Sequence, residues 1–107
     1  MVGGTPQHNL NTFTVRNVTV TAAGTPVQGP TVTVPHGYAL VARLQRGQAG
    51  SIIAYVAPSS DEASGATAGQ RSLIQGNDAI QLWVTNMNAL WIDSNTNGAI
   101  IELFVEQ

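Results

Sequence analysis

Ala79-Ile80-Gln81-Leu82-Trp83-Val84-Thr85-Asn86 carries an aliphatic side chain at every second residue. That is the period of an extended strand, whose side chains alternate between two faces, and not the 3.6-residue period of a helix. Ile80, Leu82 and Val84 are expected to face a core, with Gln81, Trp83 and Thr85 on the other side. After the turn signal Asn86-Met87-Asn88, Leu90-Trp91-Ile92-Asp93 repeats the pattern, with Leu90 and Ile92 inside and Trp91 outside. If the two runs form a hairpin turning at Met87, Trp83 and Trp91 stand opposite each other as a cross-strand pair. If consecutive strands pass to different sheets, as often happens in a jelly roll, they do not.

Outward from this stretch the same alternation continues. Strands are expected at Thr12–Thr21, Thr31–Val34, Tyr38–Gln45, Ser51–Ala57, Ser72–Ile74, Ala79–Asn86, Leu90–Asp93 and Ala99–Glu106. Gly- and Pro-containing breakers such as Gly24-Thr25-Pro26, Gly29-Pro30 and Pro35-His36-Gly37 separate them. In the first strand Phe13 and Val15 have one parity and Val18 and Val20 the other, so a β-bulge near Arg16-Asn17 is expected to restore one buried face. The longest connection, Pro58 to Gln70, is small and polar and reads as a mobile surface loop or a partner contact. Helix has little room.

Eight short strands with turn signals between them indicate an all-β fold, an eight-stranded antiparallel sandwich that is jelly-roll-like, with an immunoglobulin-like sandwich as runner-up. At 107 residues the chain suits one core. Residues 1–11 read as an N-terminal arm and residues 12–107 as a single β-sandwich domain.

Composition narrows the function classes. Only 9% of residues are charged, against about 25% in an ordinary soluble domain, so Thr, Asn, Gln, Ser, Gly and Ala must clothe the surface. All four basic residues are arginines, Arg16, Arg43, Arg46 and Arg71, a side chain whose planar fork suits interfaces. A formal net charge of −2 offers no basic excess for a phosphate backbone, which disfavours nucleic acid. No apolar run spans a bilayer and the start has no secretory pattern, so no membrane partner is expected. Asn17-Val18-Thr19 has the form of a glycosylation acceptor, but with no secretory pattern ahead of it the strand reading is the plainer.

Catalytic chemistry is poorly supplied. Cysteine is absent, which removes thiolate nucleophiles and thiolate metal sites. His8 falls in the arm and His36 in a turn, so no metal-ligating pair presents itself. Asp61-Glu62 could take calcium with backbone carbonyls, but no calcium-loop pattern accompanies them and a solvated loop tip is the plainer reading. Asp78 and Asp93 read as turn residues that bond their own backbone. Glu102 and Glu106 read as solvent-facing strand positions, so no carboxylate pair suggests hydrolysis. The expectation is no enzyme, no catalytic or metal site and no cofactor.

The informative residues are the large aromatics. Trp83, Trp91, Phe104 and Tyr55 all have parity opposite to their aliphatic neighbours, and each can cover about 150–250 Å². Together with Arg43 and Arg46 they are the candidate interface. Two alternatives stand beside this. The faces are reversed, with the tryptophans closing the sandwich ends, or the tryptophans form a sugar-stacking platform with Asn and Asp as hydroxyl partners.

Three segments together, Val34-Pro35-His36-Gly37-Tyr38-Ala39-Leu40-Val41, Gly50-Ser51-Ile52-Ile53-Ala54-Tyr55-Val56-Ala57 and Leu82 to Asp93, resemble small virion proteins of tailed phages. In those proteins a V-P-x-G turn opens a strand, and an L-x-V-T-N-x-N-x-L-W-I-D hairpin precedes a C-terminal E-L-x-V-E strand. The resemblance implies a jelly-roll-like capsid decoration (cement) protein of a bacteriophage. Such a protein is made in the host cytoplasm and sits on the capsid exterior of the virion as a homo-oligomer, a trimer, clamping neighbouring copies of the major capsid protein. Residues 1–11 would reach a neighbour. The alternative is a receptor- or glycan-binding module of a phage fibre or spike.

Overall fold

The computed structural model describes residues 13–66 and 71–106. The expected arm, residues 1–11, lies outside them, and His8 with it. The described chain forms β1 (Phe13–Val20), β2 (Val27–Gln28), β3 (Leu40–Leu44), β4 (Ile53–Ala57), α1 (Ser60–Ser64), β5 (Ser72–Gln75), β6 (Ala79–Leu82), a 3₁₀ turn (Met87–Ala89), β7 (Trp91–Ser94) and β8 (Ala99–Glu106). All strand pairs are antiparallel, and the first pairs with the last, the second with the seventh, the third with the sixth and the fourth with the fifth. Cross-links β3 to β8 and β4 to β7 gather these pairs into sheet I, β1-β8-β3-β6, and sheet II, β2-β7-β4-β5. A long nested hairpin whose successive pairs alternate between two facing sheets is a jelly roll.

The aliphatic parity of each strand fills the space between the sheets. Val18 and Val20 of β1, Leu40, Ala42 and Leu44 of β3, and Ile101, Leu103 and Val105 of β8 are buried from sheet I. Ala54, Val56, Ile74 and Ile92 meet them from sheet II. Met87 and Leu90, in and after the 3₁₀ turn, plug one end together with Val34. Ile80, Leu82 and Val84 pack against this core, as their spacing predicts.

Four local expectations are corrected. The β1–β8 register runs without interruption from Phe13↔Glu106 to Val20↔Ala99, so there is no bulge at Arg16-Asn17. The change of phase is real but has another cause: Val18 and Val20 face in, while Phe13 and Val15 face out and are exposed. The second strand is Val27–Gln28, before the Gly29-Pro30 break, and not Thr31–Val34, which makes a single bridge, Thr33↔Asn86. The strand from Ala79 stays on β3 only as far as Leu82. Its continuation turns to residues 32–34, with Val34 N donating to Thr85 O at 2.9 Å and Met87 N to Val32 O at 2.9 Å. The long connection after Pro58 carries α1, set over β4 and β7. Ser59 caps it: its hydroxyl accepts from Glu62 N at 3.3 Å and donates to Glu62 Oε1 at 2.9 Å. Gly65 ends it in the left-handed conformation, φ 83°, which costs glycine least.

Side-chain amides and one carboxylate hold the loops where ladder bonds stop. Gln48 gives both ends of its amide to Ile100, donating from Nε2 to O at 2.8 Å and accepting from N at 2.8 Å. Asn86 Oδ1 accepts from Val32 N and Asn88 N, each at 3.0 Å. Asn95 Oδ1 accepts from Ile53 N at 2.9 Å, and Asn97 Oδ1 from Ala23 N at 2.8 Å. Asp93, 2% exposed, accepts on Oδ1 from Gly24 N at 2.9 Å and Ser94 N at 2.8 Å, tying the β1–β2 turn to β7. We expect Asp93→Ala to leave these amides without an acceptor and to lower unfolding free energy by about 2–3 kcal/mol in urea titrations, with Asp93→Asn costing less than half as much. An Ala variant as stable as wild type would remove Asp93 from this role. At Gly29 a Cβ would fall inside the envelope of the Met87 carbonyl oxygen. Gly29→Ala should therefore destabilise by about 1–3 kcal/mol, read as a lowered midpoint in the same titration.

Candidate interaction surface

Sheet I turns its outer face to solvent, and the register arranges that face in rows across all four strands. Val15 is opposite Phe104, Phe104 is opposite Val41, and Val41 is opposite Gln81, giving one row that is apolar over three strands. Phe13 extends it along β1, its ring centroid 5.3 Å from that of Phe104 with the planes tilted 51°, a favoured arrangement for an aromatic pair. Phe13 is 53% and Val15 37% exposed. The next row, Asn17, Glu102, Arg43 and Ala79, is polar at its centre, where Arg43 Nε donates to Glu102 Oε1 at 2.7 Å. The result is an apolar strip bordered by a charge pair that neutralises itself.

Trp83 stands where β6 leaves β3, 72% exposed. It belongs to the same side of the molecule as Phe104, and the two share the walls of one hollow with Val41, Tyr38 and Gln81. The structure thus brings Phe104, Arg43 and Trp83 of the candidate interface to one side. Arg46 lies exposed in the turn that follows β3, near Asn77 and Asp78.

Trp91 and Tyr55 are on the opposite face of the molecule. Trp91 is paired with Gln28 and Ala57 in sheet II and is half-buried. The cross-strand tryptophan pair does not form, because β6 and β7 belong to different sheets. Tyr55 is covered by its own chain: the Arg71 guanidinium lies 3.7 Å from its ring centroid and Nη1 donates to Ala63 O at 3.1 Å. Such a stacked cation adds to what α1 does in closing this face. Leu73, on β5 at the margin of sheet II, is 50% exposed.

Phe13 and Val15 belong to the surface although the sequence reading turned them inward through a bulge. The signal was their parity against Val18 and Val20, which is satisfied by two faces of one regular strand. The Ser59-x-x-Glu62 capping box with Gly65 was the signal for α1.

Three carboxylates are engaged in structure: Glu62 closes the cap of α1, Asp93 is buried against backbone amides, and Glu102 holds Arg43. Asp78 sits in the turn before β6, its backbone N donating to Gln75 O at 2.9 Å. Among the described residues no group of three or more His, Asp or Glu side chains could hold a metal ion. No described helix is long and apolar enough to cross a membrane. No family model, curated protein or solved structure matches the chain.

The Arg43–Glu102 pair has side-chain exposures of 43% and 18%, so solvent screens it. A double-mutant cycle of Arg43→Ala and Glu102→Ala should give a coupling of about 0.5 kcal/mol that shrinks in 1 M salt. A coupling above about 2 kcal/mol, insensitive to salt, would contradict that description.

Proposed function

We propose that this chain is a capsid decoration (cement) protein of a tailed phage, a non-enzymatic structural module. It would be made in the host cytoplasm, bind the outside of the shell as a trimer, and clamp neighbouring copies of the major capsid protein. The observation that carries this reading is the apolar strip Phe13, Val15, Phe104 and Val41 on the outer face of sheet I, with Phe13 and Val15 exposed and Phe104 and Val41 half-buried. Exposed aromatic area of this kind, bordered by polar side chains, is what a protein partner covers. The jelly-roll frame and the resemblance of Val34–Val41, Gly50–Ala57 and Leu82–Asp93 to phage virion proteins support the same reading.

The size of the face supports oligomerisation. Four strands about 4.8 Å apart and about five residues long give a face of roughly 300–400 Å². A stable pairwise complex buries about 800 Å² on each partner. One copy would therefore hold a shell weakly, and three linked copies gain through effective concentration what a single contact lacks.

Sedimentation with assembled shells of the encoding phage and with free capsid subunits tests the reading, with light scattering giving the mass of the free protein. The expected result is a trimer that pellets with shells and not with free subunits. Val15→Asp, an exposed strand position, should weaken shell binding by at least about tenfold, equivalent to 1.4 kcal/mol, without changing the fold. A wild-type chain that ignores assembled shells would overturn the proposal, as would undiminished binding by Val15→Asp.

A further inference from the structure

The divergence of the chain after Leu82 makes a concave site beside the strip just described, sharing Val41 and Phe104 with it. Residues 83–86 leave β3 to bond with residues 32–34, and the turn 35–39 is left standing between them. Trp83 rises at the point of separation. It lines a hollow of about 310 Å³ with Val34, Pro35, His36, Tyr38, Val84 and Thr85. It also lines a hollow of about 460 Å³ with Tyr38, Ala39, Val41, Gln81 and Phe104. Both volumes lie within the range of small-ligand sites.

The platform is fixed on both flanks. Val34 N donates to Thr85 O at 2.9 Å and Tyr38 N to Pro35 O at 3.1 Å, while Leu82 and Val84, on either side of Trp83 in the chain, pack against the core. The indole is therefore presented by anchored backbone, with little ordering left to be done on binding.

The chemistry of the lining selects the ligand. No Asp, Glu, Lys or Arg lines either hollow. Arg43 is engaged with Glu102 and Arg71 with Tyr55, so neither is offered to this site. A phosphate, a nucleotide or an acidic sugar would lose its hydration here and meet no lysine or arginine in return. What the site offers is a large π-face flanked by hydrogen-bonding side chains, Gln81, Thr85 and His36. A pyranose ring matches this in kind, with an apolar C–H face to lie on the indole and hydroxyls at its rim for the polar groups. We propose that Trp83, with Tyr38, His36, Gln81 and Thr85, forms a binding site for neutral hexopyranoses, and that a chain of two or more sugars straddles the indole to enter both hollows. Trp91, half-buried in sheet II, has no part in it.

Maltotetraose, cellotetraose, chitotetraose and β-1,4-galactotetraose, titrated by calorimetry and tryptophan fluorescence, test this, with sialyllactose and inorganic phosphate as charged counterparts. The expected result is saturable binding of at least one neutral tetrasaccharide with a dissociation constant of about 1 mM or tighter, and none of the charged probes. Trp83→Ala should weaken binding by at least about tenfold at an unchanged melting temperature, since the ring is 72% exposed, and Trp83→Tyr should restore most of it. Failure of all four neutral sugars to bind, binding that survives Trp83→Ala, or preference for sialyllactose or phosphate would each overturn the inference. Its failure and that of the shell-binding reading are distinguishable: Val15→Asp should keep the sugar and lose the shell, and Trp83→Ala should do the reverse.

Discussion

The long β1–β8 ladder is the constraint on which the rest depends. Its register holds one phase over the whole of β1, and the side-chain period of a strand is two, so every residue's face is set by every other's. Val18, Val20, Ile101, Leu103 and Val105 go to the interior together, and the same choice sends Phe13, Val15 and Phe104 to the exterior. A slip by one residue would expose the aliphatic set and bury Glu102, at a cost no local rearrangement could offset. Because β8 also pairs with β3, the phase is passed on across sheet I and fixes where Val41 and Arg43 point. Core and apolar strip are consequences of one alignment.

A second economy of the fold lies in its neutral polar residues. With few charges, the chain relies on Gln48, Asn86, Asn95 and Asn97 to bond loop backbone in place of ladder partners, and on Asp93 where two amides converge. A buried N–H without an acceptor is costly, and jelly-roll connections that cross between sheets leave several such groups at the ends of strands. The amide side chain, donor and acceptor at once, answers both needs without the desolvation that a charge would suffer.

Much of the architecture was legible because it follows from alternation. The aliphatic positions of β4, β6, β7 and β8 were assigned to the interior from spacing alone, and the outward parity of Trp83, Trp91, Tyr55 and Phe104 followed from the same count. What alternation cannot tell is which outward faces are then covered. Tyr55 and Trp91 have the same parity argument as Phe104, yet α1 and Arg71 close over their side of the molecule, and that closure depends on where a connection folds back. Phe13 and Val15 were misread because a bulge and a two-faced strand give the same apolar spacing, and only the partner strand decides between them. The gathering of His36, Tyr38 and Gln81 about Trp83 had no local signal, since it arises from residues 83–86 changing partner to residues 32–34.

The two broad sides of the sandwich are unequal: sheet I leaves Phe13 and Val15 exposed on its outer face, and sheet II carries α1 over β4 and β7 and the Arg71 guanidinium over Tyr55. Such inequality gives the molecule a direction: under the proposed reading, one broad side would be the one that binds and the other the one left facing outward.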